Sequence, residues 1–159
     1  MAANTVEQSC AIPIDLQHAF DVTLPIPLTA IFSRRYWLLP PVKVVRGQEG
    51  VWGQVGQTRT VVTTDGGTMR ELLTEVDAPH SFSYLLSDIS GPMRPIVKSI
   101  DGRWEFATQG TDTLITWRWT LHPKGLGAYV MPLITLMWRG YARQALELLS
   151  EQLLAPNSA

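Results

Sequence analysis

A chain of 159 residues, 45% hydrophobic and 17% charged, is long enough for one sizeable core and too apolar to be disordered. Its formal net charge of −1 argues against nucleic acid as a partner, because that role needs clustered lysine and arginine. Cys10 stands alone, so no internal disulfide forms and a reducing, cytoplasmic setting is expected. Residues Met1 to Cys10 lack the basic and apolar regions of a secretion signal. The most apolar run, Leu126 to Trp138, is too short to cross a bilayer, so no transmembrane segment is expected.

In chain order, Val6, Cys10, Ile12 and Ile14 alternate as a strand over Val6 to Ile14. Asp15 then reads as a helix N-cap, with His18 at the third position beyond it. Leu16, Ala19 and Phe20 keep helical spacing until Pro25 and Pro27 end the helix. Leu28 to Phe32 reads as a second short helix, and Pro40-Pro41 breaks the chain again. Strands are expected over Val42 to Arg46, Gln57 to Thr64, Thr68 to Val76 and Ser81 to Asp88. Asp65-Gly66-Gly67 marks a hairpin between the second and third of these, and Asp77-Ala78-Pro79 a turn after the third. Gly91 to Pro95 is a loop that cannot pair regularly. Ser99 to Ala107 and Thr113 to His122 form a last hairpin around Gln109-Gly110-Thr111-Asp112. Gly127 to Leu154 reads as one long helix whose apolar stripe is Val130, Ile134, Met137, Tyr141, Ala145 and Leu148. Pro132 is expected to start or kink it. Pro156 to Ala159 resembles a linker.

An antiparallel sheet of this size must cover one face, and only the long helix can do so. The expected fold is therefore α+β, a helix-grip arrangement: six or seven antiparallel strands curved around a C-terminal helix, with two short helices after the first strand. Residues 1–159 are expected to form one domain with its core at about 5–155. A period of two places Ile115, Trp117, Trp119 and Leu121 on one face, with Arg118, Thr120 and His122 on the other. Trp104 and Phe106 match them on the preceding strand, where Arg103 and Glu105 face outward. Phe82, Tyr84 and Leu86 supply a third inward row.

The segments "DGRWEF" (Asp101 to Phe106) and "TLITWRWTLHP" (Thr113 to Pro123) resemble the paired strands of the START-like (SRPBCC) superfamily. That group includes polyketide cyclase/dehydrases, lipid-transfer proteins and pathogenesis-related plant proteins. "IPIDLQHAFDV", "VGQTRTVVTTDGGTMRELLTEVDAP" and "GLGAYVMPLITLMWRGYARQALELLSEQL" agree in order, so the resemblance spans nearly the whole chain. Thr120 and His122 stand where charged residues are common, which alters the surface only. These are patterns of fold, and they specify chemistry poorly. The resemblance implies a hydrophobic cavity between sheet and helix; the alternative is a core filled by the tryptophans themselves.

Motifs for chemistry are sparse. Gly50, Gly53 and Gly56 lack the context of a phosphate loop. His18, His80, His122 and Cys10 are too scattered to hold a metal, no nucleophile elbow occurs, and no cofactor is expected. Glu71 lies between Met69 and Leu73. If that parity faces inward it is a carboxylate in the cavity; if Leu72, Thr74 and Val76 face inward it is solvated. Arg34-Arg35 reads as a solvated helix end. The candidate ligand-binding residues are Glu71, Tyr84, Trp104, Phe106, Trp117, Trp119, Met137 and Tyr141, with catalytic residues unassigned. The expected function is binding or transport of a hydrophobic small molecule of lipid, polyketide or isoprenoid type. Two alternatives stand beside it: an aromatase/cyclase-type enzyme, and a protein-interaction module, with a homodimer as one assembly, in which Tyr36-Trp37-Leu38-Leu39 supplies exposed apolar surface.

Overall fold

The computed structural model describes residues 2–155; the linker-like stretch expected at Pro156 to Ala159 lies outside them. Strand β1 (Asn4–Ile12) leads into two short helices, α1 (Leu16–Thr23) and α2 (Leu28–Ile31). Six strands follow: β2 (Val42–Arg46), β3 (Thr58–Thr63), β4 (Thr68–Asp77), β5 (Ser81–Ser90), β6 (Val97–Gln109) and β7 (Asp112–Pro123). Helix α3 (Gly127–Leu154) ends the fold. The seven strands make one antiparallel sheet in the order β1-β7-β6-β5-β4-β3-β2. It curves around α3, and this is the helix-grip architecture.

Local chemistry explains the boundaries. The Asp15 carboxylate accepts a hydrogen bond from the His18 amide at 3.1 Å, so Asp15 caps α1. Strand β1 stops at the Ile12–Thr113 pair rather than at Ile14, because Pro13 has no N–H to donate. Strand β6 starts two residues earlier than expected, since Val97 pairs with Pro123. In β4 a register shift between Leu73 and Glu75 turns both Thr74 and Glu75 outward. The strand's two faces are therefore mixed in sequence although its first half alternates cleanly.

The helix differs from its expected stripe. Ile134, Met137, Tyr141 and Ala145 are buried, but Val130 and Leu148 are only half-buried. Met131, Trp138, Ala142, Leu146, Leu149 and Leu153 complete the buried face. That face is wider than a single stripe because the sheet covers one side of the helix and α1 and α2 cover another. Pro132 does not start α3, which begins five residues earlier at Gly127. It lies in the second turn, where it deprives the Ala128 carbonyl of a helical donor. Leu126, at the N-cap, offers no side-chain bond.

The placement of α3 decides where the site is. Its backbone packs mainly on β1, β7, α1 and α2. It leans to one side of the concave sheet and stands away from β3, β4 and β5. The space left over those strands is the cavity.

Candidate functional site

A cavity of about 360 Å³ opens between α3, the α1–α2 segment and the concave faces of β3, β4, β5 and β7, a size typical of small-molecule pockets. Its floor is aromatic. Trp104 stacks on Trp117 with ring centroids 5.3 Å apart. Trp117 meets Trp119 edge-on at 5.6 Å, and Trp138 of α3 backs both, at 4.8 and 5.8 Å. The strand parity is as expected: the tryptophans are concave, while Arg118 lies outside, ion-paired to Glu7 and Glu105.

Tyr84 holds the centre. It is 7% exposed, and its phenol oxygen accepts hydrogen bonds from Trp117 Nε1 at 2.8 Å and Trp119 Nε1 at 3.0 Å. The donors sit on β7 and the acceptor on β5, with β6 between them. The ring reaches across because the residue beneath it is Gly102, paired in register with both Tyr84 and Trp119. A Cβ at Gly102 would lie 2.0 Å from the Tyr84 ring. A glycine in a strand interior signals such a close approach, and "DGRWEF" carries that signal. Burial raises the Tyr84 hydroxyl above its ordinary value, the nearby Glu71 carboxylate adds to the rise, and the two indole bonds oppose it.

Glu71 faces inward with Leu73, which settles the parity left open by the sequence, and it is 4% exposed. Directly across the ladder stands Arg59, 5% exposed. Its Nε and Nη2 donate to the two carboxylate oxygens at 2.9 and 3.3 Å. Nη1 donates to the Gln48 side-chain oxygen at 3.1 Å, and the guanidinium lies 3.9 Å from the Trp52 ring centroid. Burial holds the Glu71 carboxyl above its usual value, and Arg59 reverses only part of that.

Seven of the eight expected site residues border the cavity: Glu71, Tyr84, Trp104, Trp117, Trp119, Met137 and Tyr141. Phe106 does not. It turns to the same face but packs 5.4 Å from Phe20 of α1 and 6.1 Å from Phe82, so α1 seals it away. Tyr141 is a strut as much as a wall. Its hydroxyl donates to the Pro40 carbonyl at 2.9 Å, and its ring stacks on Phe32. Arg59, Trp52 and Trp138 were not legible as site residues. Arg59 is one arginine in a strand of threonines and valines, Trp52 sits in a glycine-rich loop, and Trp138 is off the expected stripe.

The mouth lies where Leu38, Pro92 and Leu133 line the cavity yet stay exposed. Met93, in the unpaired loop after β5, also lines it. Tyr36 and Leu39 bridge each other through paired backbone bonds, and the tip between them exposes Trp37 by 66% and Leu38 by 71%. Tyr36 seats this loop on α3 at Gly140, where a Cβ would lie 2.1 Å from its ring. Arg34 and Arg35 are exposed beside it.

No histidine borders the cavity. His122 bonds Asp101 at 2.6 Å on the outer face. Cys10 is remote from the cavity, between β1 and α3, and burial pushes its thiol up, away from reactivity. Among the described residues no three His, Cys, Asp or Glu side chains gather as a metal site, and no helix is long and apolar enough to cross a membrane.

The backbone is similar to solved structures of diverse description. Norcoclaurine synthase from Thalictrum flavum, in complex with dopamine and hydroxybenzaldehyde, aligns with a TM-score of 0.72 at 15% identity, covering 99% of this chain and 90% of that one. Zhui aromatase/cyclase from Streptomyces sp. R1128 aligns at 0.72 and 14%, covering 96% and 94%. Ara h 8.0201 aligns at 0.67 and 14%, covering 96% and 99%. At these identities the likeness shows the fold alone. No curated protein matches the sequence. The family model described as polyketide cyclase / dehydrase and lipid transport, however, matches residues 4–153, and the chain belongs to that family.

Proposed function

We propose that the protein binds a hydrophobic small molecule of lipid, polyketide or isoprenoid type in the cavity beneath α3, as a carrier or sensor. One observation carries this reading: the tryptophans do not close the space, but line about 360 Å³ that reaches solvent at Leu38, Pro92 and Leu133. A protein needing only a core would fill such a space, since empty apolar volume is destabilising. The lone cysteine suits work in the cytoplasm. Native mass spectrometry of gently purified protein should reveal a co-purifying apolar species. Anilinonaphthalene sulfonate should brighten on mixing and be displaced by that species. Protein that carries nothing and takes up no probe refutes the reading.

The buried Glu71 carboxylate on the wall favours a second reading, an aromatase/cyclase-type enzyme that moves protons within the cavity. Both its oxygens are held by Arg59, which is why binding comes first. Turnover of a bound polyketone by wild type and its loss in Glu71→Gln would reverse that order.

A further inference from the structure

Tyr84 has more hydrogen-bonding capacity than the fold uses. An indole N–H only donates, so the bonds from Trp117 and Trp119 must both end on the Tyr84 oxygen. Two donors fill that oxygen's lone pairs, and its own proton has to leave in a third direction. Among the described residues no side chain or backbone group accepts it. No hydrogen bond joins it to Glu71, whose two oxygens are both engaged by Arg59. Tyr84 borders the cavity, so the free donor has the cavity to point into. Two incoming bonds polarise the O–H and strengthen it as a donor.

Resting on the reading above that the cavity takes an apolar molecule, we propose that the Tyr84 hydroxyl, braced by Trp117 and Trp119, is a receptor for a neutral carbonyl oxygen, and that the ligand is an aromatic or conjugated ketone, aldehyde, ester or quinone. A lone acceptor is the complement of a lone donor. A hydroxyl would bring its own proton into surroundings where the nearest carboxylate is already paired. A carboxylate would be desolvated beside Glu71 and repelled by it. A carbonyl brings neither problem, and its conjugated body matches the flat faces of Trp104, Trp117 and Trp119. The raised value of the phenol keeps the proton in place at neutral pH.

The test uses two probes with one ring system: a propionyl-dimethylaminonaphthalene, which is a ketone, and the dimethylaminonaphthalene without the propionyl group. Both should bind wild type. Tyr84→Phe should weaken the ketone about tenfold, the scale of one buried hydrogen bond, and leave the ketone-free probe unchanged. In wild type the carbonyl stretch of the bound ketone should fall below its frequency in hexane. The infrared measurement on wild type decides alone where Tyr84→Phe fails to fold. If the ketone-free probe binds but the bound carbonyl absorbs as in hexane, or the variant weakens both probes equally, the carbonyl receptor is wrong and the binding cavity stands. If wild type binds neither probe, both are wrong.

Discussion

Gly102→Ala is the smallest change that tests the architecture of the site. A Cβ there would lie 2.0, 2.2 and 2.5 Å from three atoms of the Tyr84 ring, where ordinary contact needs about 3.5 Å. The backbone cannot yield, because Gly102 pairs with Tyr84 on one side and Trp119 on the other. The ring itself must move, and the only free volume beside it is the cavity. Its displacement breaks both indole bonds. Each buried donor left without a partner costs about 1–3 kcal/mol, against which alanine recovers about 0.5–1 kcal/mol of strand preference. The net expectation is a loss of about 1–5.5 kcal/mol, with probe binding weakened as the ring occupies the pocket. With a urea slope of about 2 kcal/mol/M, the unfolding midpoint should fall by about 0.5–2.8 M. A midpoint within about 0.2 M of wild type, with probe affinity unchanged, would show that Tyr84 is not held across β6.

Trp117→Ala and Trp119→Ala should separate. Trp117 is packed between Trp104 and Trp138, so its loss should cost about 3–5 kcal/mol of stability. Trp119 flanks the cavity, so its loss should weaken probe binding by about tenfold with a smaller fall in the urea midpoint; the reverse ranking would refute the assignment of wall and core. Arg59→Met strands the Glu71 carboxylate without its cation and should cost about 3–5 kcal/mol at neutral pH. Because the folded-state value of Glu71 lies above its ordinary 4.5, its contribution is present below that value and lost as pH rises through the raised one. Arg59 holds that value down in part, so its removal raises it further and the deficit of Arg59→Met should shrink on acidification; a deficit independent of pH would contradict the pairing. Trp37→Ser and Leu38→Ser should each change stability by less than about 0.5 kcal/mol, since both side chains are mostly exposed; a large fall in the thermal midpoint would place that loop in the core.

The sequence made the sheet legible where alternation was strict. Ile115 to Leu121 could be assigned to a face because every second residue is large and apolar. Glu71 was harder, since the register shift after Leu73 mixes the two faces of β4. Its partner could not be found by pattern at all. Arg59 faces Glu71 only because β3 and β4 pair in one register, a relation across 12 residues that no periodicity encodes. Trp52 was hidden for a similar reason: it acts from a loop, folded over the Arg59 guanidinium. Phe106 shows the opposite failure. Parity placed it on the correct face, but parity carries no information about what covers that face, and there Phe20 arrives before any ligand.

Pro132 has a consequence for rates. The turn of α3 before it lacks a side-chain cap and one helical bond, and this weakened stretch carries Val130, next to Leu133 at the mouth. The rest of the helix, from Met137 onward, is fixed to the sheet by Trp138, Ala142, Leu146 and Leu149. Lifting the first turn gives up its own hydrogen bonds and the buried contact of Gly127 with Ile96, while Met131, Ile134 and the sheet stay packed. If the cavity takes a ligand as proposed, its exchange would run on the timescale of local helix and loop motion, microseconds to milliseconds, rather than on that of unfolding. On the proposed function, the proline would make filling and emptying the cavity a property of one helix end, separate from the stability of the whole.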